Sequence, residues 1–494
     1  MRVSRLTGIV AVWVGLVCIA PPPAQALYFR LDGDRLWLQA EKTPLVEVLR
    51  PFSHAGVTVR MDPAIQATVQ ATFRGVRLDE GLSELLGSYD YLVTWKMLRG
   101  PLGRVPKLQE IEIFHPGNRT TARPLFTPKR SFDTTRGVAG NRPEFIRDEL
   151  LIGVRPGTTY AQFQHLLDQV GGMIVDVDPA TGVYQIRFPP GTHVEELLER
   201  LARHPLVAHA ELNQATRLPV HSIPPVPSRS IPPVSPPADG AIPVAVLDTG
   251  LNPAIGIDSL VTAGWDAVNP DRTLSDSNGH GTQMALLAAG VLAAEGFSSD
   301  GRMLPLVSVR AFDDEGVTSN FALLQALTYA AQAGAKVVNL SWGSETDSDF
   351  LRAAVENAAA QGMIVVAAAG NAPTGQPVYP AAYPSVLAVG GSRANGHPWT
   401  QSNFGDFVDV AAPAAAILPG GAEGVTGAYA GTSISSATVS HALGQYINQH
   451  PTASMTDVLA ALRAALSPSV GAGYGAGLLD EAALQRFLSK RNGP

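Results

Sequence analysis

The sequence predicts an α/β protein. Its main domain is expected to be a parallel β-sheet flanked by helices on both faces, preceded by a ferredoxin-like α+β domain and a small α+β N-terminal domain. Three observations carry this prediction. In residues 241–494, near-continuously apolar strands at 243–247, 306–312, 337–341, 364–369, 386–390 and 407–411 alternate with helical runs such as 321–333 and 350–361. That pattern belongs to a parallel sheet covered on both faces. Residues 148–218 read strand, helix, strand, strand, helix, strand, with strands at 149–154, 173–177, 183–188 and 207–212 and helices at 159–170 and 194–203, the ferredoxin-like order. Residues 27–116 alternate short strand patterns with helical ones at 45–54 and 78–86.

At 494 residues the chain is too long for one ordinary domain, and 45% hydrophobic residues suffice for real cores. The net charge of −7 is unevenly spread. Residues 239–494 hold 21 acidic against 10 basic side chains, so of the totals of 43 and 36 the preceding part holds 22 and 26. An acidic C-terminal part disfavours nucleic acid as its partner.

Residues 1–26 read as a secretory signal: Arg2 and Arg5, an apolar stretch from Leu6 to Ala20, and Ala24-Gln25-Ala26 as the cleavage site. That stretch is short for a membrane span, so the expected location is the periplasm, the cell envelope or the exterior. The only cysteine, Cys18, lies within it, which leaves the mature chain without disulfides or thiol chemistry. Residues 117–147, with seven Lys or Arg against Asp133 and Glu144, read as a basic linker, and Lys129-Arg130 as a minority candidate for processing. Residues 219–240 are proline-rich, repeating Ser222-Ile223-Pro224-Pro225-Val226 as Ser230-Ile231-Pro232-Pro233-Val234. Such a segment is an extended tether.

Five motifs carry chemistry. A buried strand ends in Asp248-Thr249-Gly250, Asn278-Gly279-His280-Gly281-Thr282 precedes a helix of small apolar residues, and Gly431-Thr432-Ser433 opens another helix. Ser341-Trp342-Gly343 follows a strand, and Asn371 closes Ala367-Ala368-Ala369-Gly370-Asn371. A serine at a helix start lies beside free backbone N–H groups and the positive end of the helix dipole, which suits a nucleophile whose reaction builds negative charge nearby. A hydroxyl also needs a base to take its proton. Each residue has a plainer reading as a cap, a turn or a surface group. Asp-Thr-Gly also marks aspartic peptidases, but those need two facing carboxylates, and a single copy is present here.

In their order, Asp then His then Ser, these motifs resemble the subtilisin-like serine peptidases. The resemblance implies Ser433 as nucleophile, His280 as general base, Asp248 as the residue orienting and stabilising the imidazole, and Asn371 as oxyanion donor beside the Ser433 N–H. It implies a substrate groove at Gly316, Ser341, Trp342, Gly343, Ala369, Gly370 and Val378. Residues 148–218 resemble the family's inhibitory propeptide, in Leu150-Leu151-Ile152-Gly153-Val154-Arg155-Pro156-Gly157 and Val207-Ala208-His209-Ala210-Glu211-Leu212-Asn213. Residues 27–116 resemble in pattern the short N-terminal domain of secretins and TonB-dependent receptors, in Thr43-Pro44-Leu45 and Gly75-Val76-Arg77-Leu78. That likeness points to an envelope partner, or equally to a solubilising module. The expected partners are therefore protein or peptide substrates and the chain's own propeptide, with the protein a monomer. The competing function is a catalytically silent scaffold that docks to the envelope.

Three departures from the family stand out. Gln283 replaces a histidine, Ala437 replaces a proline in the first turns after the nucleophile, and the segment 290–306 is too short for the calcium loop of many relatives. The chemistry requires no cofactor. Asp266, Asp271 and Asp276 are the acids that would hold a structural calcium, against the plainer reading of solvated loop acids.

Overall fold

The computed structural model describes residues 27–32, 34–54, 56–126, 132–136, 143–218, 231–270, 272–298, 301–420, 425–468 and 471–489. The expected signal, Lys129-Arg130, the first proline repeat and Asp271 lie outside these residues. The chain forms two compact units, one of residues up to 95 together with 108–126, the other of 96–107 together with 127–494. Among the described residues, no helix is long and apolar enough to cross a membrane.

The first unit contains β1 (Tyr28–Asp32), β2 (Arg35–Pro44), α1 (Leu45–His54), β3 (Thr58–Met61), β4 (Thr68–Arg77), α2 (Leu78–Leu86), most of a long hairpin made by β5 (Asp90–Gly100) and β6 (Gly103–Phe114), and β7 (Arg123–Pro124). Its sheets are ordered β1-β2-β4 and β5-β6-β3-β7. Leu45, Val48, Leu49 and Phe52 of α1, and Leu78, Leu82 and Leu86 of α2, recur at helical spacing and are all buried. The hairpin tip, 96–107, belongs to the second unit.

The second unit opens with β8 (Thr134–Arg136), then β9 (Glu144–Val154), α3 (Tyr160–Val170), β10 (Met173–Asp178), β11 (Val183–Arg187), α4 (Val194–Ala202) and β12 (Val207–Arg217). The order β10-β11-β9-β12 is antiparallel throughout, which gives the expected ferredoxin-like sheet. A capping box at Thr159 and Gln162 starts α3, and Gly171 in the left-handed conformation ends it. The segment read as a basic linker contributes β7 to the first unit and β8, paired with β9, to the second. Both strands are too short to show in a periodicity dominated by charge.

The remainder comprises β13 (Val244–Asp248), β14 (Val261–Asp266), α5 (His280–Ala288), β15 (Leu306–Arg310), β16 (Val317–Ser319), α6 (Asn320–Gln332), β17 (Val337–Leu340), α7 (Asp349–Ala360), β18 (Ile364–Ala368), β19 (Val386–Ser392), β20 (Val410–Pro413), the hairpin β21 (Ala415–Gly420) and β22 (Val425–Ala430), α8 (Thr432–Gln449), α9 (Met455–Ala465) and α10 (Glu481–Ser489). Seven strands form a parallel sheet in the order β14-β15-β13-β17-β18-β19-β20. Alternation along β13 sends Val244 and Val246 to a core shared with α5, α8, α9 and α10, and Ala245 and Leu247 to a core shared with α6 and α7. Ahead of β13, Ile231, Val234 and Ile242 pack against the first of these cores. Asn448 of α8 brackets Ile242, accepting from its N–H at 2.7 Å and donating to its carbonyl at 3.0 Å.

Helix α8 is buried along nearly its whole length, so the sheet and the serine it carries share one packing problem. Leu443, fully buried there, should lose about 2–5 kcal/mol of stability on replacement by alanine. Chemical denaturation of Ser433→Ala chains with and without Leu443→Ala measures that loss.

Candidate active site

Asp248 is the last residue of β13, Ser341 follows β17 directly, and Asn371 stands three residues beyond β18. All three therefore lie at carboxyl ends of neighbouring or near-neighbouring parallel strands, where functional loops of such sheets gather. His280 is the first residue of α5 and Ser433 the second of α8; these helices pack on each other, and both pack on β13.

Asp248 is fully buried, and its Oδ1 accepts from His280 Nδ1 at 2.8 Å and from Thr249 N–H at 2.8 Å. This bond fixes the ring so that Nε2 is its other end. Nε2 is buried and has no hydrogen-bond partner among the described residues. Burial alone disfavours the charged ring, but the charge and hydrogen bond of Asp248, aided by the charge of Asp276, outweigh it and raise the His280 pKa above its ordinary value.

Asp276, one of the three acids considered for calcium, is committed elsewhere. Its Oδ1 accepts from Asn278 and Gly279 N–H at 3.1 and 2.7 Å, and its Oδ2 from the N–H and hydroxyl of Thr282 at 2.8 and 2.6 Å. It thus satisfies orphan donors at the start of α5 and anchors the helix that carries His280. Asp266 likewise accepts from Val268 and Asn269 N–H and pairs with Arg310 at 3.1 Å. Among the described residues no cluster of three His, Cys, Asp or Glu is arranged to hold a metal.

The Ser433 hydroxyl donates to the Ser341 carbonyl at 3.0 Å rather than to His280. Beneath it lies a buried polar network: Asn339 Nδ2 donates to Ser341 Oγ at 2.7 Å, Ser341 Oγ meets Ser436 Oγ at 3.1 Å, and Ser436 Oγ donates to the Ser433 carbonyl at 3.0 Å. Asn339 and Ser436 carry no motif of their own; only their polarity within otherwise apolar runs could have flagged them. As the second helical residue, Ser433 has one of the first-turn N–H groups that lack an intrahelical acceptor. Asn371 Oδ1 accepts from both the N–H and the hydroxyl of Thr432, each at 2.9 Å, so its amide NH2 is the end left to donate elsewhere.

The expected groove residues divide. Trp342 is buried, donating from Nε1 to the Leu247 carbonyl at 3.0 Å, and packs against Phe312, so its ring is core and only its backbone can line a groove. The Ser341 side chain is likewise spent on the network above, and Ala369 is fully buried. Val378 lies beside two glycines of the expected groove: a Cβ on Gly343 would collide with Val378 Cγ1, and one on Gly370 would lie 3.5 Å from Cγ2. Paired backbone bonds between Ser344 and Tyr379, at 2.8 and 2.7 Å, hold it there. Asn403, buried and unnoticed in the sequence, donates to the Ala369 and Gln376 carbonyls and so ties down the loop carrying Asn371. Gln283, at the position of the family's histidine, donates to the Pro419 carbonyl at 2.7 Å and joins α5 to the β21–β22 hairpin. Ala437 is fully buried within the unbroken helix α8.

A parallel sheet presenting a buried Asp–His pair and a helix-start serine, preceded by a ferredoxin-like domain, defines a serine peptidase with its prodomain. The chain belongs to the subtilase family, whose model matches residues 239–477, and residues 135–213 match the fervidolysin N-terminal prodomain. It is 35% identical to thermitase of Thermoactinomyces vulgaris over 215 residues, 43% of this chain and 76% of that protein. It is 31% identical to subtilisin DY of Bacillus licheniformis over 249 residues, 49% of this chain and 90% of that one. In structure it resembles fervidolysin from Fervidobacterium pennivorans, described as a keratinolytic enzyme related to subtilisin, with a TM-score of 0.59 at 20% identity, covering 74% of this chain and 64% of that one.

The raised pKa of His280 has two opposite consequences. The stability gained from its pairing is fully present below the ordinary imidazole pKa and is lost as pH rises through the ring's own value, whereas a neutral base is available only above that value. The kcat/KM profile should therefore fall on acidification through a pKa above the ordinary one. Asp276→Asn, which removes a charge that raises it, should move that limb to lower pH while destabilising the start of α5. A pH–rate profile of both forms reads the shift.

Proposed function

We propose that the chain is an exported, self-processing serine endopeptidase whose residues 132–218 keep it latent until they are cut away. The observation that carries this reading is the His280 ring, held through Nδ1 by Asp248 with its buried Nε2 unpartnered. Rotation about Cα–Cβ would release Ser433 Oγ from the Ser341 carbonyl and bring it to Nε2. Oγ then attacks the peptide carbonyl carbon while its proton passes to Nε2, and the oxyanion is met by Asn371 NH2 and Ser433 N–H. The same proton is given to the departing amine as the C–N bond breaks, and water, deprotonated by His280, hydrolyses the acyl-enzyme. A catalytically silent scaffold is not favoured, because it leaves this set of residues without a purpose.

The latent state is supported by the path of β12. Ala215, Thr216 and Arg217 pair antiparallel with Ser319, Thr318 and Val317 of β16, and Leu218 N–H donates to the Gly316 carbonyl at 2.8 Å. A substrate strand laid on β16 would need this same edge. Three prodomain side chains also reach the flanking helices. Asn213 accepts from Phe321 N–H at 3.1 Å, Glu211 from Phe350 N–H at 2.8 Å, and Asp178 from the Thr328 hydroxyl at 2.8 Å. The first two satisfy first-turn donors of α6 and α7, and the Glu211 charge complements the α7 dipole.

Ser433→Ala should leave the chain folded but uncut and unreactive towards a fluorophosphonate probe, whereas the parent should mature to an N-terminus between Leu218 and Ile231. N-terminal sequencing checks both; maturation of purified Ser433→Ala chain unaided would sink the assignment.

Val378 sets a second expectation. Its stiff branched side chain fills space between Gly343 and Gly370, and overpacking costs about 1–3 kcal/mol. Cleavage after Ala, Val, Leu or Met should be preferred about tenfold or more over cleavage after Phe or Tyr. Val378→Gly should shift that preference towards aromatics in a peptide library read by mass spectrometry.

A further inference from the structure

The sheet of the prodomain has two faces. Leu151 and Val183 belong to the core built with α6 and α7, whereas Leu150, Ile152, Tyr184 and Ile186 face α3 and α4. The second face is not closed by those helices alone. Leu98 and Val105, from the two strands of the β5–β6 hairpin tip, are buried in the same cluster as Phe163, Val177 and Tyr184.

The fit is specific in its polar and steric detail. Leu102 N–H donates to the hydroxyl of the fully buried Tyr184 at 3.0 Å. Gly100 lies so close that a Cβ there would be 2.8 Å from both Tyr184 Oη and Val177 Cγ2, and Pro101 packs over Gly182. Lys107 pairs with Asp176 at 3.6 Å, with only 18% and 19% of their side chains exposed. Burial pushes the Lys107 ammonium below the usual lysine range despite its partner, so the pair is embedded and not a rim contact. All these prodomain residues lie on β10, β11 or their turn, the same turn that reaches Thr328 of α6 through Asp178.

We propose that the hairpin tip 96–107 is an integral part of the inhibitor: it completes the prodomain core and braces the β10–β11 turn on α6, so that it sets how long the peptidase stays latent. This rests on the latency reading above. The tip is then a retention arm, and losing its grip hastens release.

Two measurements on the full chain separate the arm from the peptidase assignment. The first is hydrogen exchange in the Ser433→Ala chain, which needs no activity. Leu98→Ser should speed exchange of amides 173–187 about tenfold or more while those of β18 stay unchanged. Lys107→Asp or Asp176→Lys alone should do the same more weakly, and the double exchange should restore protection. The second is the lag before activity in the Ser433 chain. The single variants should shorten it and the charge swap should restore it, at an unchanged final specific activity. Unchanged exchange at 173–187 and an unchanged lag would overturn the proposal. If Leu98→Ser abolishes folding altogether, the charge swap and Tyr184→Phe decide in its place. A chain that never gains activity in any form would count against the peptidase reading, with the exchange data still judging the arm.

Discussion

The hydrogen bond between Asp248 and His280 depends on a backbone approach that side chains would forbid. A Cβ on Gly281 would sit 2.5 Å from the Gly250 carbonyl oxygen and 2.7 Å from its nitrogen. Gly250 itself has a φ of +111°, and a Cβ there would collide with the Ser275 carbonyl. With both glycines in place, Thr249 Oγ1 accepts from Gly281 N–H at 2.8 Å, and Asn252 N–H reaches Thr282 Oγ1 at 3.0 Å. The Asp-Thr-Gly and His-Gly-Thr motifs are thus two halves of one joint. Their threonines and glycines hold the strand end and helix start together, and the carboxylate and imidazole are what the joint positions.

A second dependence links the prodomain to the peptidase domain. The prodomain sheet runs on through β12 into β16 of the peptidase domain, so the two share hydrogen-bonded strands as well as packed surfaces. Buried polar groups fix the registration: Glu149, 2% exposed, pairs with Arg187 and accepts from the side-chain amides of Gln185 and Asn213, the second of which in turn receives Phe321 N–H. An isolated buried carboxylate would be costly, so the guanidinium and both amides must be in place together. Such a group favours one docked arrangement over slipped alternatives.

Much of this was legible in the sequence because the relevant signals are local. The strands β13, β15, β17, β18 and β19 are mostly apolar runs, and the capping and glycine signals around α3 lie where the helix starts and stops. The edge strand β14 was not legible, since Val261–Asp266 is half exposed and interrupted by Gly264. The hairpin β21–β22 falls in a glycine- and alanine-rich stretch with no clear period. Residues such as Asn339, Asn403 and Ser436 escaped because each also has a partner far along the chain, at separations of 27 to 101 positions. Trp342 reads as a groove residue only through its neighbours, and its ring lies in the core, where the Leu247 carbonyl offers its Nε1 an acceptor.

The bracket that Asn448 places on Ile242 bears on the proposed removal of the upstream chain. Strand β13 is an interior strand, lying between β15 and β17, and it ends in Asp248. A freshly made chain end tends to fray, and fraying spreads inward until something stops it. Here the base of the strand is held from both sides of one residue by a side chain of the helix that carries Ser433, with Ile231 and Val234 seated on the core before it. On the proposed maturation, the new chain end would thereby be kept apart from Asp248, and the same helix that carries Ser433 guards the root of the strand that carries the aspartate.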